Sequence, residues 1–157
     1  MGKRKSKPYS QRTDSEKVMS NWTKTRGLYQ RGEYSLAILR AATTIELAVN
    51  LAVRAELAQK RHLPLQFVDR LLKRANGLRN KYHDLLLPIT DGEPRNKQLK
   101  KLWKKISKVN DQRNRIAHSG EFKKRSTAGK QLTLTCEILN ELVSQYIKNF
   151  SIKRIEK

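Results

Sequence analysis

The chain has 157 residues and carries 35 Lys and Arg against 14 Asp and Glu, a formal net charge of +21. That length suits one domain, and 37% hydrophobic residues are enough for a single, lean core. A field this strong repels itself and calls for a polyanion nearby, nucleic acid first and an anionic membrane surface second. The lone cysteine, Cys136, excludes an internal disulfide and fits a reducing compartment. No window approaches the roughly 18 apolar residues of a membrane span. No apolar stretch follows the basic start MGKRKSKPYSQR, so it does not read as a secretory signal. A cytoplasmic protein with no membrane partner is expected.

Residues 1–13 read as a basic flexible arm, either phosphate-binding or merely solubilising. Asp14 is placed as the N-cap of a first helix running to about Tyr29, with Val18, Trp22 and Tyr29 on one side. A second helix, from about Glu33 to Lys60, carries an inner stripe of Tyr34, Ile38, Ala41, Ile45, Ala48, Ala52 and Ala55. Its apolar girth predicts more than one packing neighbour. Pro64 opens a short helix with Phe67, Leu71 and Leu72 inward, Gly77 breaks it, and a further piece carries Leu78, Tyr82, Leu85 and Leu86. "PITDGEP" reads as a loop.

The next helix is predicted from about Asn96 to His118, with Leu99, Leu102, Ile106, Val109 and Ile116 inward and Gly120 ending it in the left-handed conformation. "GEFKKRSTAGK" reads as an exposed basic loop, and a last helix runs from about Thr127 to Phe150. The fold expectation is all-α: a four-helix up-and-down bundle over 14–150, with a short helical insertion between the second and third long helices. Residues 151–157 are expected to be a basic C-terminal tail.

The third long helix raises a question at its end, "RNRIAHSG". The stripe Leu99, Leu102, Ile106, Val109 next lands on Arg113, where a guanidinium is costly unless paired or facing a cleft. Asn114 and His118 lie four apart on one face of the final turn. A planar cationic fork, an amide and an imidazole at one helix end suit phosphodiester chemistry: the fork for phosphate oxygens, the imidazole for proton transfer. The competing reading is a helix C-terminus decorated with cations that favour its dipole.

"R-N-x-x-x-H" at a helix end resembles the Arg-x4-6-His signature of the HEPN superfamily (higher eukaryotes and prokaryotes nucleotide-binding). The alanine-rich second helix with Glu46 in "TTIEL" is also similar to that family, and the resemblance covers about Asp14 to Phe150. It implies that Arg113 and His118 are a catalytic pair and that Asn114 orients the pair or the phosphate. It implies a metal-independent endoribonuclease, without cofactor, in which the RNA 2′-hydroxyl attacks the adjacent phosphate to leave 2′,3′-cyclic phosphate and 5′-hydroxyl ends. His118 would act as base or acid and Arg113 would stabilise the phosphorane. A homodimer with a composite site, a role as a toxin or defence effector, and an antitoxin or regulatory partner are further implications. Gly120 stands where nucleotidyltransferase-paired members often carry a tyrosine, which weakens that particular partnership. The family also includes non-catalytic modules, so a basic dimer that binds RNA or a ribonucleoprotein is the alternative.

Glu46 either holds Arg113 and lines the site or is an ordinary boundary carboxylate. Lys97, Lys101, Lys104 and Lys108 recur at 4-3-4 spacing on the motif helix, with Lys100 and Lys105 beside them and Asp111 as the one carboxylate from Asn96 to His118. They read as an RNA-backbone track, extended by Arg115, Lys123, Lys124 and Arg125, against the plainer reading of a solvated face. Trp103 reads as a core anchor before a base-stacking platform, and Arg79, Asn80 and His83 as solvent-facing. No Cys/His cluster, two-metal carboxylate group or Gly-rich phosphate loop is present in the sequence.

Overall fold

The structure, a computed structural model, describes residues 5–156. Residues 1–4 of the expected N-terminal arm and Lys157 of the expected tail lie outside the described residues. Every regular element among the described residues is helical. A 3-10 turn, Tyr9–Gln11, precedes α1 (Asp14–Gln30). α2 (Tyr34–Arg54) continues through a π-helical stretch, Ala55–Lys60. α3 (Leu65–Arg74) and α4 (Gly77–Asn80, prolonged through Lys81–Leu86 and Leu87–Ile89) form a short insertion before α5 (Pro94–Ser119) and α6 (Arg125–Val143).

Thr13, not Asp14, caps α1: its backbone is extended and its hydroxyl accepts the Glu16 N–H at 3.2 Å. Asp14 sits instead in the first turn, where a carboxylate suits the helix dipole, and Arg54 at the far end of α2 donates to it at 2.8 Å. That pair, with Arg40 donating to Asn21 at 3.2 Å, makes α1 and α2 antiparallel.

α2 is the central helix, and Ile38, Ala41, Ile45, Ala48, Val49 and Ala52 are wholly buried. Within Tyr34–Lys60 an 18-residue window reaches a mean hydropathy of 1.6, so by length and composition alone this helix is apolar enough to cross a membrane. The expectation that no window reaches that level is therefore corrected. Its apolarity has a packing cause here: α1, α5, α6 and the insertion all lie against it. α5 runs antiparallel to α2, with Arg95 at Glu56 near one end and Ile116 packed by Ile38 at the other. α6 returns antiparallel to α5, with Lys105 ion-paired to Glu137 and Glu141.

The insertion packs on one flank of α2 and α5. Tyr82 Oη donates to the Leu99 carbonyl at 2.6 Å, Asn96 Nδ2 to the Leu87 carbonyl at 2.9 Å, and Lys81 Nζ to Glu46 at 2.7 Å. In α3 the buried pair is Val68 and Leu72, while Phe67 is 48% exposed, so its inner face is turned by one residue from the expected one. The "PITDGEP" loop shrinks to Thr90–Glu93, because Pro88 and Ile89 finish α4 and Pro94 begins α5, where a missing N–H costs nothing.

Two boundaries near the C-terminus also differ from expectation. The basic loop after the motif is only Gly120–Lys124, since α6 already starts at Arg125. α6 stops at Val143, not Phe150; turns follow, and Asn149 takes a left-handed φ of 60°. That reversal carries the terminal segment back against α1 and α6. Ile152 is buried, its N–H donates to Asn140 Oδ1 at 2.9 Å, and the Trp22 indole donates to the Lys153 carbonyl at 2.8 Å. The segment is docked structure, where a basic tail was expected.

One end of the helical domain is locked by a carboxylate that the sequence reading passed over. Glu56, in the π-helical stretch, is wholly buried. Arg95 Nη2 donates to it at 2.8 Å, Arg61 Nη1 at 2.9 Å and Tyr146 Oη at 2.8 Å, with Lys60 at 3.4 Å. Burial pushes its pKa up, but the hydrogen bonds from Arg95, Tyr146 and Arg61 outweigh burial and bring it down to about 2. The same contact raises the Tyr146 hydroxyl, by burial first and then by the carboxylate it faces. Arg61 and Arg95 also pair with Glu93 in the loop before α5. The end of α2, the start of α5 and the turns after α6 thus meet at one ionised side chain, and Arg61 reaches on to the Ile89 carbonyl of α4.

Candidate nucleic-acid interface

The motif lies at the opposite end of α5. Ile116 anchors that end by packing with Ile38 of α2 and Ala128 of α6. Gly120 then closes the helix with φ 63°, and its N–H returns to the Ile116 carbonyl at 3.1 Å. The short loop is tied to the start of α2, where the Lys123 N–H donates to Ser35 Oγ at 3.0 Å. The polar residues of the last turn therefore stand on a fixed base.

Arg113 is exposed, although its helical phase does point along the buried stripe. The reason is how far the neighbours reach. The named contacts of the insertion with α5 run from Asn96 to Trp103. Arg113 lies ten residues further along, about 15 Å at 1.5 Å per residue, on a flank the insertion has left. Its Nη1 donates to Asn114 Oδ1 at 3.0 Å, which joins two of the three expected site residues. His118 is exposed one turn on. Five residues of helix set Arg113 and His118 about 140° apart in direction, so on a single chain they border the helix end from different sides and do not meet. Glu46 does not hold Arg113: its carboxylate takes Lys81 instead. The antiparallel register that puts Ile38 beside Ile116 leaves Glu46 too far along α2.

The lysine row is laid out as the spacing predicts. Lys97, Lys101, Lys104 and Lys108 are exposed on α5, as are Lys100 and Arg115, and none has an ion-pair partner among the described residues. Lys105 departs from the row, being held by Glu137 and Glu141 on α6. Lys123 departs too: its side chain is mostly covered and pairs with Glu121, which that contact holds below the usual carboxylate range. Trp103 is half-buried, with its ring centroid 5.1 Å from Tyr82 and 4.5 Å from His83, so it anchors the insertion. His83, Arg79 and Asn80 are exposed.

Lys124 and Arg125, at the start of α6, do not simply prolong the row. They line a cleft of about 1080 Å³ between α5, α6 and the C-terminal segment, which Lys108 enters from α5. Lys130 and Arg154 also line it, and sequence reasoning missed both. Lys130 sat in a stretch read as loop and Arg154 in a stretch read as tail, so nothing local marked them as neighbours. Across the described residues no three His, Cys, Asp or Glu side chains gather as a metal site. Comparison with protein-family models, curated proteins and solved structures finds no match to this chain.

Proposed function

We propose that the protein is a metal-independent endoribonuclease of the HEPN type, a homodimer built from two up-and-down four-helix bundles. Its active site combines the two α5 ends. The observation that carries this reading is the exposed Arg113–Asn114 pair with His118 on an anchored helix end, approached by an unpaired lysine row. Because the two side chains diverge on one chain, a second copy facing it across a two-fold cleft would supply the missing half of each site.

Chemically, one imidazole takes the proton of the 2′-hydroxyl as that oxygen attacks the adjacent phosphorus. Arg113 neutralises charge gathering on the phosphorane oxygens. The P–O5′ bond breaks, and the 5′-oxygen leaves with a proton from the opposite, protonated imidazole. The products are a 2′,3′-cyclic phosphate and a 5′-hydroxyl. A toxin or defence effector acting in the cytoplasm under an antitoxin or regulatory protein is the setting such an activity suits.

The test is RNA cleavage in EDTA by wild type, Arg113→Ala and His118→Ala, with solution mass measured alongside. Metal-free cleavage by a dimer, lost in both variants, supports the proposal. Cleavage that vanishes in EDTA, or RNA binding without cleavage that His118→Ala leaves unchanged, refutes it. A second reading, a non-catalytic module for RNA or a ribonucleoprotein, is favoured by the lysine row itself, which needs neither Arg113 nor His118 to bind phosphates.

A further inference from the structure

The cleft between α5 and α6 combines two chemistries that the lysine row lacks. Its rim holds Lys108, Lys124, Arg125, Lys130 and Arg154, supplied by three separate parts of the chain. The one carboxylate that lines it, Glu137, is already in contact with Lys105. Its floor is apolar and aromatic, with Tyr29, Leu134 and Ile155. Gly129 makes that floor possible: a Cβ there would sit 3.1 Å from the Tyr29 hydroxyl, so the missing side chain lets the tyrosine lie close against α6. The neighbouring Tyr29 side chain also raises the Arg125 pKa further. α6 begins there with no side-chain cap and no acid in its first turn, which leaves the local potential positive.

We infer that this cleft is a binding site for a single-stranded RNA segment, an anchor separate from the Arg113–His118 end. The inference rests on the proposed RNA reading and names the form of RNA. Cations on the rim serve any nucleic acid, but the floor discriminates. A duplex keeps its bases stacked inside and offers phosphates and ribose hydroxyls, which would leave the apolar floor wet. An unpaired strand turns bases outward, and a base laid over Tyr29, Leu134 and Ile155 covers that floor while the rim holds its phosphates. The volume, about 1080 Å³, is at the upper end of ligand-sized sites, so more than a single small anion is accommodated. Lys108 belongs both to the row and to the cleft, so a strand following α5 passes into the cleft there. Lys108 lies ten residues, about 15 Å along the axis, from His118, which separates the anchor from the motif by several nucleotides.

The experiment is fluorescence anisotropy in EDTA with a labelled, non-cleavable 2′-O-methyl oligouridine of about 12 nucleotides, beside an RNA duplex of equal length. Lys130→Glu/Arg154→Glu alters two exposed side chains of the cleft. Lys73→Glu/Arg79→Glu makes the same charge change on the outer face of the insertion, where both residues are exposed. The expected result is a loss of about tenfold or more in single-strand affinity for the cleft variant, with a much smaller loss on the duplex and little for the control. A Leu134→Glu protein, which charges the floor without removing a cation, should show the same preference. Equal losses on strand and duplex, or equal losses for cleft and control variants, overturn the site. If wild type binds the strand through the cleft yet cleaves no RNA, the site stands and the catalytic proposal falls. If wild type cleaves and the cleft variants bind and cleave as it does, the site falls alone.

Discussion

Replacing Glu56 by glutamine tests how much of the fold hangs on one ionised side chain. The substitution keeps the shape and removes the charge, so Arg95 and Arg61 keep only Glu93 as a shared counter-ion and an amide N–H₂ group is turned toward donors. Breaking a buried ion pair in this way costs about 3–5 kcal/mol. The carboxylate's own titration gives a separate figure. The distance from its ordinary 4.5 to about 2, at about 1.4 kcal/mol per pH unit, corresponds to about 3 kcal/mol. Since Glu56 is wholly buried, solvent screening does not reduce that value much. For a chain of this size the loss corresponds to a fall in Tm of about 6–20 °C at neutral pH. Helical ellipticity followed through thermal and urea unfolding measures it. The pH dependence has a fixed sign. A depressed carboxylate contributes stability that is complete above its unfolded value and is lost as pH falls toward the folded one. The gap between wild type and Glu56→Gln should therefore be full above about 4.5 and close as pH falls toward 2. A neutral-pH difference under about 0.5 kcal/mol, or a gap that does not change on acidification, would refute the reasoning.

Other outcomes follow from the site. Arg113→Ala and His118→Ala should unfold within about 0.5 kcal/mol of wild type, both side chains being exposed, while cleavage falls by a factor on the order of 10²–10⁴. A large stability loss in either would mean the residue is structural. Lys101→Gln/Lys104→Gln should lower RNA affinity and flatten its dependence on log salt by about 1.4 for single strands, read from titrations across ionic strength. An unchanged slope would remove those lysines from the phosphate path. Gly120→Ala, forced to φ 63°, should cost about 1–2 kcal/mol although open space surrounds its Cβ, and Gly120→Asn should cost less. Chemical denaturation decides this, and equal stability of all three proteins would show that the helix end relaxes out of the left-handed conformation.

The helices and the Gly120 stop could be read from periodicity and one residue's conformational freedom, because both are local. Arg113 shows the limit of that approach. The stripe gave its direction correctly, but its exposure depends on where the insertion ends, and no periodicity in α5 contains that length. Glu56 was hidden for a related reason. A lone acid near the end of an apolar helix looks like a boundary residue, and its partners Arg95 and Tyr146 lie 39 and 90 residues away. The docked terminal segment escaped because Ile152 and Ile155 are dispersed among cations, so a pair of apolar contacts was masked by net charge. In the loop before α6, five residues sufficed where a longer one was expected, since Arg125 and Ser126 are adequate first-turn residues even without a cap.

The two tryptophans stand at two different joints of the molecule, and this gives the protein separate optical reporters. Trp22 closes on the terminal segment through the Lys153 carbonyl, and Trp103 is wedged against the insertion by Tyr82 and His83. A Trp103→Phe protein has an emission that follows release of the last residues alone. A Trp22→Phe protein follows lifting of the insertion alone. Acrylamide quenching of each, across a denaturant series, resolves whether the protein sheds its terminal segment and its insertion together or in sequence, with no added label.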